Sequence, residues 1–102
     1  MESKFEVYFS RYFIEQWQGY GNNTQAFINN KLSLIAHNPF RFRKHKGYAG
    51  VFKVKLDVEN RYSRLMYTIY YPNPKSVTIL GIFSRDRDYK DFERIFGYLR
   101  HR

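Results

Sequence analysis

The chain contains no cysteine. That removes disulfides, thiolate metal sites and thiol nucleophiles from the possible chemistries. Histidine is scarce, and His37, His45 and His101 stand at intervals that match no metal-ligand pattern. No cofactor is expected. No repeat or low-complexity tract interrupts the chain. No apolar run approaches the roughly 18 residues that a membrane span needs. The opening residues, Met1-Glu2-Ser3-Lys4-Phe5, lack the basic and then apolar regions of a secretion signal. The expectation is a soluble cytoplasmic protein with no membrane partner. Acids are in short supply too, nine against eighteen Lys plus Arg, for a net charge of +9. An excess of this size favours polyanionic partners.

What remains is enough for one fold. A chain of 102 residues is expected to form a single domain over 1–102. Hydrophobic residues make up 43% of it, and ten Phe, ten Tyr and one Trp imply a core rich in aromatic rings.

Residues 4–9 alternate Phe5, Val7 and Phe9 and predict a first strand. Ser10 can cap a short helix with Phe13, Ile14 and Trp17 on its apolar side. A turn over 19–23 leads to a second helix, capped by Asn23 or Thr24, with Phe27, Ile28, Leu32, Ile35 and Ala36 at helical spacing. It must end near Asn38, because Pro39 disfavours the helical conformation in the residue before it. A basic loop follows over 41–47. The period then switches to two: residues 51–57, 62–71 and 76–83 predict strands, joined by turns over 58–61 and 72–75. A polar connector, 84–88, leads to a last helix with Phe92, Ile95, Phe96 and Leu99 as its inner stripe. The order is β-α-α-β-β-β-α. The fold class is α+β, a mostly antiparallel twisted sheet with helices on one face.

Strand parity places chemistry on the other face. Phe52, Val54 and Leu56 share one side of their strand, and Lys53 and Lys55 the other. Leu65, Tyr67 and Ile69 oppose Arg64. If Asp57 pairs with Tyr62, Lys55 lies across from Arg64. If Tyr71 pairs with Ser76, Arg64 lies across from Phe83, and Arg85 falls on the same side. Lys53, Lys55, Arg64 and Arg85 then converge on one surface. Like charges opposite one another on adjacent strands cost roughly 0.2–1 kcal/mol each. Such a violation is expected where a ligand supplies the counter-charge. Arg43, Lys44 and Lys46 in the basic loop, Arg87 in the connector and Tyr62 at the hairpin are candidate RNA contacts. His45 reads as a surface histidine of that loop, with proton transfer as the alternative. Asp57 and Glu59 at the hairpin tip read as solubilising residues.

Three segments together resemble the RelE/ParE toxin superfamily. They are Phe52-Lys53-Val54-Lys55-Leu56, Ser63-Arg64-Leu65-Met66-Tyr67-Thr68-Ile69, and the strand from Ile79 leading into Ser84-Arg85-Asp86-Arg87-Asp88-Tyr89. The resemblance implies the RelE-like microbial ribonuclease fold. It matches Lys53 and Lys55 to catalytic lysines, Arg64 and Arg85 to phosphate-binding arginines, and Tyr89 to a tyrosine at the C-terminal end of the site. The interval from Arg85 to Tyr89 is shorter than in the best-known member. The activity it implies is mRNA cleavage on the ribosome by a toxin held in check by a cognate antitoxin protein, with no small-molecule cofactor. The alternatives are a gyrase-directed, ParE-like toxin or an inactive homologue acting through partner contacts, neither of which needs the four cations as a set, and a plain RNA-binding module, which wants basic and aromatic residues but no defined acid or base.

Overall fold

Residues 4–72, 75–85 and 89–100 are described by the computed structural model of the chain. The strands are β1 (Glu6–Phe9), β2 (Arg43–Lys44), β3 (Val51–Lys55), β4 (Ser63–Tyr70) and β5 (Ser76–Ser84). The helices are α1 (Arg11–Gln18), α2 (Asn22–His37) and α3 (Lys90–Phe96), with 3-10 turns at Pro39–Arg41 and Gly97–Leu99. The five strands form one sheet in the order β1-β5-β4-β3-β2. Only β1 runs parallel to its neighbour, and the other pairings are antiparallel. The expected α+β class holds, and the elements run β-α-α-β-β-β-β-α, with β2 where a loop was expected. Asn73 and Pro74 of the 72–75 turn and residues 86–88 of the polar connector lie outside the described residues.

Local chemistry sets the element ends. The Ser10 hydroxyl accepts from the Phe13 amide at 3.0 Å, the cap expected for α1. α2 starts earlier than expected, with Gly21 rather than Asn23 or Thr24 at its cap position, and it ends before Asn38. Within α1 and α2 the apolar spacing overstates the buried stripe. Phe13, Ile28, Ile35 and Ala36 are buried, whereas Ile14 is 41% and Phe27 47% exposed.

The expectation of helices on one face needs correction. Phe13 of α1 and Ile28 and Ile35 of α2 pack with Phe52, Val54, Leu56, Leu65, Tyr67, Val77, Ile79 and Ile82 on one side of the sheet. α3 lies on the other side, where Phe92 and Phe96 close over Tyr48, Val51, Met66, Leu80 and Phe83. Leu80, which would share the face of Ile82 in a regular strand, belongs instead to this second cluster. The cause is a bulge: Tyr67 pairs with Ile79 but Met66 pairs with Gly81, which leaves Leu80 as the extra residue.

The same bulge settles the register. At the turn end β4 and β5 pair Tyr70 with Ser76, one residue from the expected Tyr71–Ser76 pairing. Past the bulge the offset is recovered and Arg64 faces Phe83 as expected. The β3–β4 hairpin pairs Lys55 with Arg64, also as expected. Its tip is tight: Val58 bridges Arg61, and Glu59 and Asn60 both take positive φ, 48° and 65°. That is the backbone of a type I′ turn.

Where β1 stops, α1 continues along the margin of β5. The Gln16 side-chain amide donates to the Ile82 carbonyl at 2.7 Å and accepts from the Ile82 N–H at 2.8 Å. One side chain thereby substitutes for a neighbouring strand.

Candidate phosphate-binding groove

The site begins with β3. Its alternation turns Val54 and Leu56 into the first core cluster and leaves Lys53 and Lys55 on the α3 side of the sheet. β4 brings Arg64 directly across from Lys55, and β2 brings Arg43 directly across from Lys53. Two pairs of like charges therefore sit face to face on adjacent strands, an arrangement that opposes folding. Arg85 follows β5, and its backbone N–H donates to the Tyr62 carbonyl at 2.9 Å, which ties the end of β5 to the start of β4.

These cations line a groove of about 760 Å³ with Arg41, Phe42, Val54, Lys31 and Tyr89. Lys53, Lys55, Arg64, Arg85 and Tyr89, expected from sequence to act together, are thus brought together, and Arg43 joins them. Lys46 lines a second hollow beside the groove. Lys44 and Tyr62 line neither: Lys44 is exposed on β2, and the Tyr62 ring is 62% exposed beyond the hairpin. Arg87 lies outside the described residues.

Lys31 was not among the expected site residues, and Arg41 was expected only as part of the basic loop that could track RNA backbone. Arg41 belongs to the basic run, but its side chain reaches the groove only because the Pro39–Arg41 turn is pinned. The buried Tyr67 hydroxyl donates to the Pro39 carbonyl at 2.6 Å, and burial pushes that phenol well above its ordinary pKa. Lys31 was detectable in principle, because it lies three residues after Ile28 and four before Ile35. A cation inside an apolar helical stripe has to leave it at a margin.

The electrostatics distinguish the two lysines. Half-buried Lys53 has its pKa lowered, first by desolvation and then by Arg64, Arg43 and Arg85. Its Nζ lies 5.2 Å from the centre of the Tyr89 ring, within cation–π range. Lys55 is largely exposed and pairs with Asp57 at 3.7 Å. Asp57 is more than a solubilising residue, since its other carboxylate oxygen accepts from the Ser63 N–H at 3.2 Å and locks the hairpin that carries Arg64.

Tyr89 has a left-handed backbone, φ 59° and ψ 28°. Such a conformation is uncommon for a residue other than glycine and costs on the order of 1–3 kcal/mol. Its carbonyl accepts from the Glu93 N–H at 3.0 Å, and its ring meets the His45 ring edge-on at 5.2 Å. His45 is therefore no surface histidine. It is half-buried, stacks on Tyr48 at 4.9 Å, and touches Phe92 and Tyr89 edge-on. The signal for this was slight: alternation across Arg43, Lys44 and His45 continues β2, and the His45 N–H donates to the Val51 carbonyl at 2.7 Å.

Among the described residues no helix is long and apolar enough to cross a membrane, and no cluster of three or more His, Asp or Glu could hold a metal ion. The arrangement is suited instead to an extended anion. Arginine forks bond two phosphate oxygens at once, and of the lysines beside them Lys53 has a lowered pKa.

Comparison with solved structures gives the architecture a name: this is the RelE toxin fold. A double mutant of the E. coli toxin RelE in the free state superposes with a TM-score of 0.69 at 19% identity, covering 92% of this chain and 96% of that one. The toxin–antitoxin complex RelBE from E. coli matches with a TM-score of 0.63 at 21% identity, covering 76% of this chain and 93% of that one. The archaeal RelE–RelB complex from Pyrococcus horikoshii matches at 0.60 and 15% identity, covering 81% and 97%. No family model matches the sequence. No curated relative matches it either.

Proposed function

We propose that this protein is the toxin of a type II toxin–antitoxin pair, and that the basic groove is an endoribonuclease site acting on mRNA in the cytoplasm, on the ribosome. The observation that carries this reading is the meeting of Lys53, Lys55, Arg64, Arg85 and Tyr89 in one groove, where Lys53 has a lowered pKa.

RNA cleavage without a metal needs a base for the ribose 2′-OH, positive charge on the phosphate and an acid for the leaving oxygen. Lys53 is the base, because its lowered pKa raises the fraction of free amine at neutral pH. Arg64 and Arg85 clamp the phosphate oxygens. The 2′ oxygen attacks phosphorus, the bond to the 5′ oxygen breaks, and Tyr89 returns a proton to that oxygen. The products are a cyclic phosphate and a 5′-OH. Lys55, held by Asp57, adds charge at the groove mouth. An acidic antitoxin segment would neutralise the same cations, as a partner of a +9 chain should. A gyrase-directed or inactive homologue would not need this set in one groove.

The test is induction in cells, wild type against Arg85→Ala, with mRNA 5′ ends mapped in parallel. Wild type should arrest growth and create new 5′-OH ends. Arg85→Ala should lose both while melting normally, because loss of one charge-stabilising donor costs about 3–4 kcal/mol at the transition state and an exposed substitution about half a kcal/mol or less in stability. Growth arrest by both proteins without new ends would defeat the nuclease reading.

A further inference from the structure

Two residues of β3, Val51 and Lys53, lie on the α3 side of the sheet, and each fixes one neighbour of Tyr89. Lys53 is itself a neighbour, with its Nζ 5.2 Å from the centre of the Tyr89 ring. Val51 fixes the other through its carbonyl, which accepts from the His45 N–H at 2.7 Å. That bond ties His45 to the sheet one residue past β2. Its ring is then gripped from two sides. It stacks on Tyr48 at 4.9 Å with an interplanar angle of 20°, and it meets Phe92 edge-on at 5.3 Å. Towards Tyr89 it makes an edge-to-face contact at 5.2 Å and 78°, a favoured geometry for ring pairs. The Tyr89 ring therefore touches two side chains that are both anchored on Val51–Lys53 of one strand.

The segment that carries Tyr89 does less to fix its ring. The Glu93 N–H holds the Tyr89 carbonyl at the start of α3, but a backbone bond leaves the ring free to turn about its side-chain torsions. His45 lines the second hollow and not the phosphate groove, whereas Lys53 and Tyr89 line both. It thus stands behind Tyr89 as seen from the groove. Packing of the core accounts for its contacts with Tyr48 and Phe92, and the contact with Tyr89 is the one that reaches the site. We infer that His45 is a positioning residue of the proposed cleavage: its ring is the abutment that holds the Tyr89 ring against Lys53, with the phenol hydroxyl turned to the leaving oxygen. The inference rests on the ribonuclease reading and adds to it the residue that sets the place of the acid.

The experiment is single-turnover cleavage of ribosome-bound mRNA at rising protein concentration, with thermal melting of each protein. The proteins are wild type, His45→Ala, His45→Phe, Tyr89→Phe and the double variant of His45→Ala with Tyr89→Phe. His45→Ala should lower the maximal rate about tenfold, the shift in ring position that loss of one such aromatic pair allows. The half-saturating concentration should stay unchanged, because Arg64 and Arg85 line only the groove. His45→Phe keeps a flat ring and should cut at close to the wild-type rate. In the Tyr89→Phe background His45→Ala should cost nothing further, since the hydroxyl it positions is already gone. If His45→Ala does not fold, His45→Val takes its place in every arm, being suited to the end of a strand but too short to bring a ring edge to Tyr89. Four results each overturn the positioning role and leave the nuclease reading standing: a full maximal rate in His45→Ala, a loss shared equally by His45→Phe, a raised half-saturating concentration, or losses that multiply with Tyr89→Phe. No cutting by wild type removes both.

Discussion

Arg43 stands directly across from Lys53 on adjacent strands, so the folded chain holds two cations together with no acid between them. Arg43→Thr removes the repulsion and keeps a residue that suits a strand. A like-charge pair in this position is worth about 0.2–1 kcal/mol. In a domain of this size 1 kcal/mol moves the melting temperature by about 4–8 °C, so the variant should melt roughly 1–8 °C higher. The lower half of that range is expected, because Arg43 is exposed and water screens it. Differential scanning calorimetry in low salt measures the shift. In 1 M salt, where screening reaches about 3 Å, the gain should vanish. Affinity for single-stranded RNA should move the opposite way, with the log–log salt slope shallower by about 0.7. A variant that melts no higher than wild type in low salt, and binds RNA with the same salt slope, would refute both the cost and the purpose of the pair.

Three further expectations concern the groove and its support. Desolvation and three arginines hold the Lys53 pKa below its ordinary 10.5, so its charged form is disfavoured in the folded state. The resulting destabilisation is present at low pH and relaxes as pH rises through the lowered pKa toward the ordinary value; single-turnover cleavage should rise over the same window, and Arg43→Thr should displace that rise to higher pH. Tyr89→Phe keeps the ring under Lys53 but removes the hydroxyl, so cleavage should fall by about 10²-fold or more while RNA affinity measured by anisotropy changes little. Gln16→Ala leaves the N–H and C=O of Ile82 without their side-chain partner, which should cost about 1–3 kcal/mol by denaturant unfolding and leave the salt dependence of RNA binding unchanged.

Much of the groove was legible because a strand has a period of two. Parity alone separated Lys53 and Lys55 from Phe52, Val54 and Leu56, and the length of the tip suggested the register, found in the fold, that pairs Lys55 with Arg64. The second hairpin was harder, because a bulge inserts Leu80 without disturbing the local pattern. A mark was present: a glycine inside a strand often signals a bulge, and a Cβ on Gly81 would meet Tyr12 Cδ2 at 2.9 Å and Gln16 Oε1 at 3.0 Å. The position of α3 was signalled too, since Val51, Met66 and Phe83 are apolar residues on what parity made the basic face. An apolar half of that face had to be covered, and Phe92 and Phe96 cover it. Spacing could single out Lys31 and His45, but which hollow each joins is set by packing between segments far apart in sequence.

The margins of the sheet carry a consequence for solubility. Exposed strand margins invite other chains to add on, and proteins suppress this by covering them or by charging them. Here the two margins use different means. Gln16 occupies the backbone of Ile82 on the β5 side, so an incoming strand finds those groups already taken. On the other side β2 pairs only with Phe52 and Lys53, and β3 runs on through Val54 and Lys55 with β4 on one side and, among the described strands, no neighbour on the β2 side. That open stretch is flanked by Arg41, Arg43, Lys53 and Lys55. The charges that hold phosphate also repel a second copy of the chain. Neutralising them to gain melting temperature would therefore uncover a templating edge, and the more stable variant would be the one more prone to aggregate.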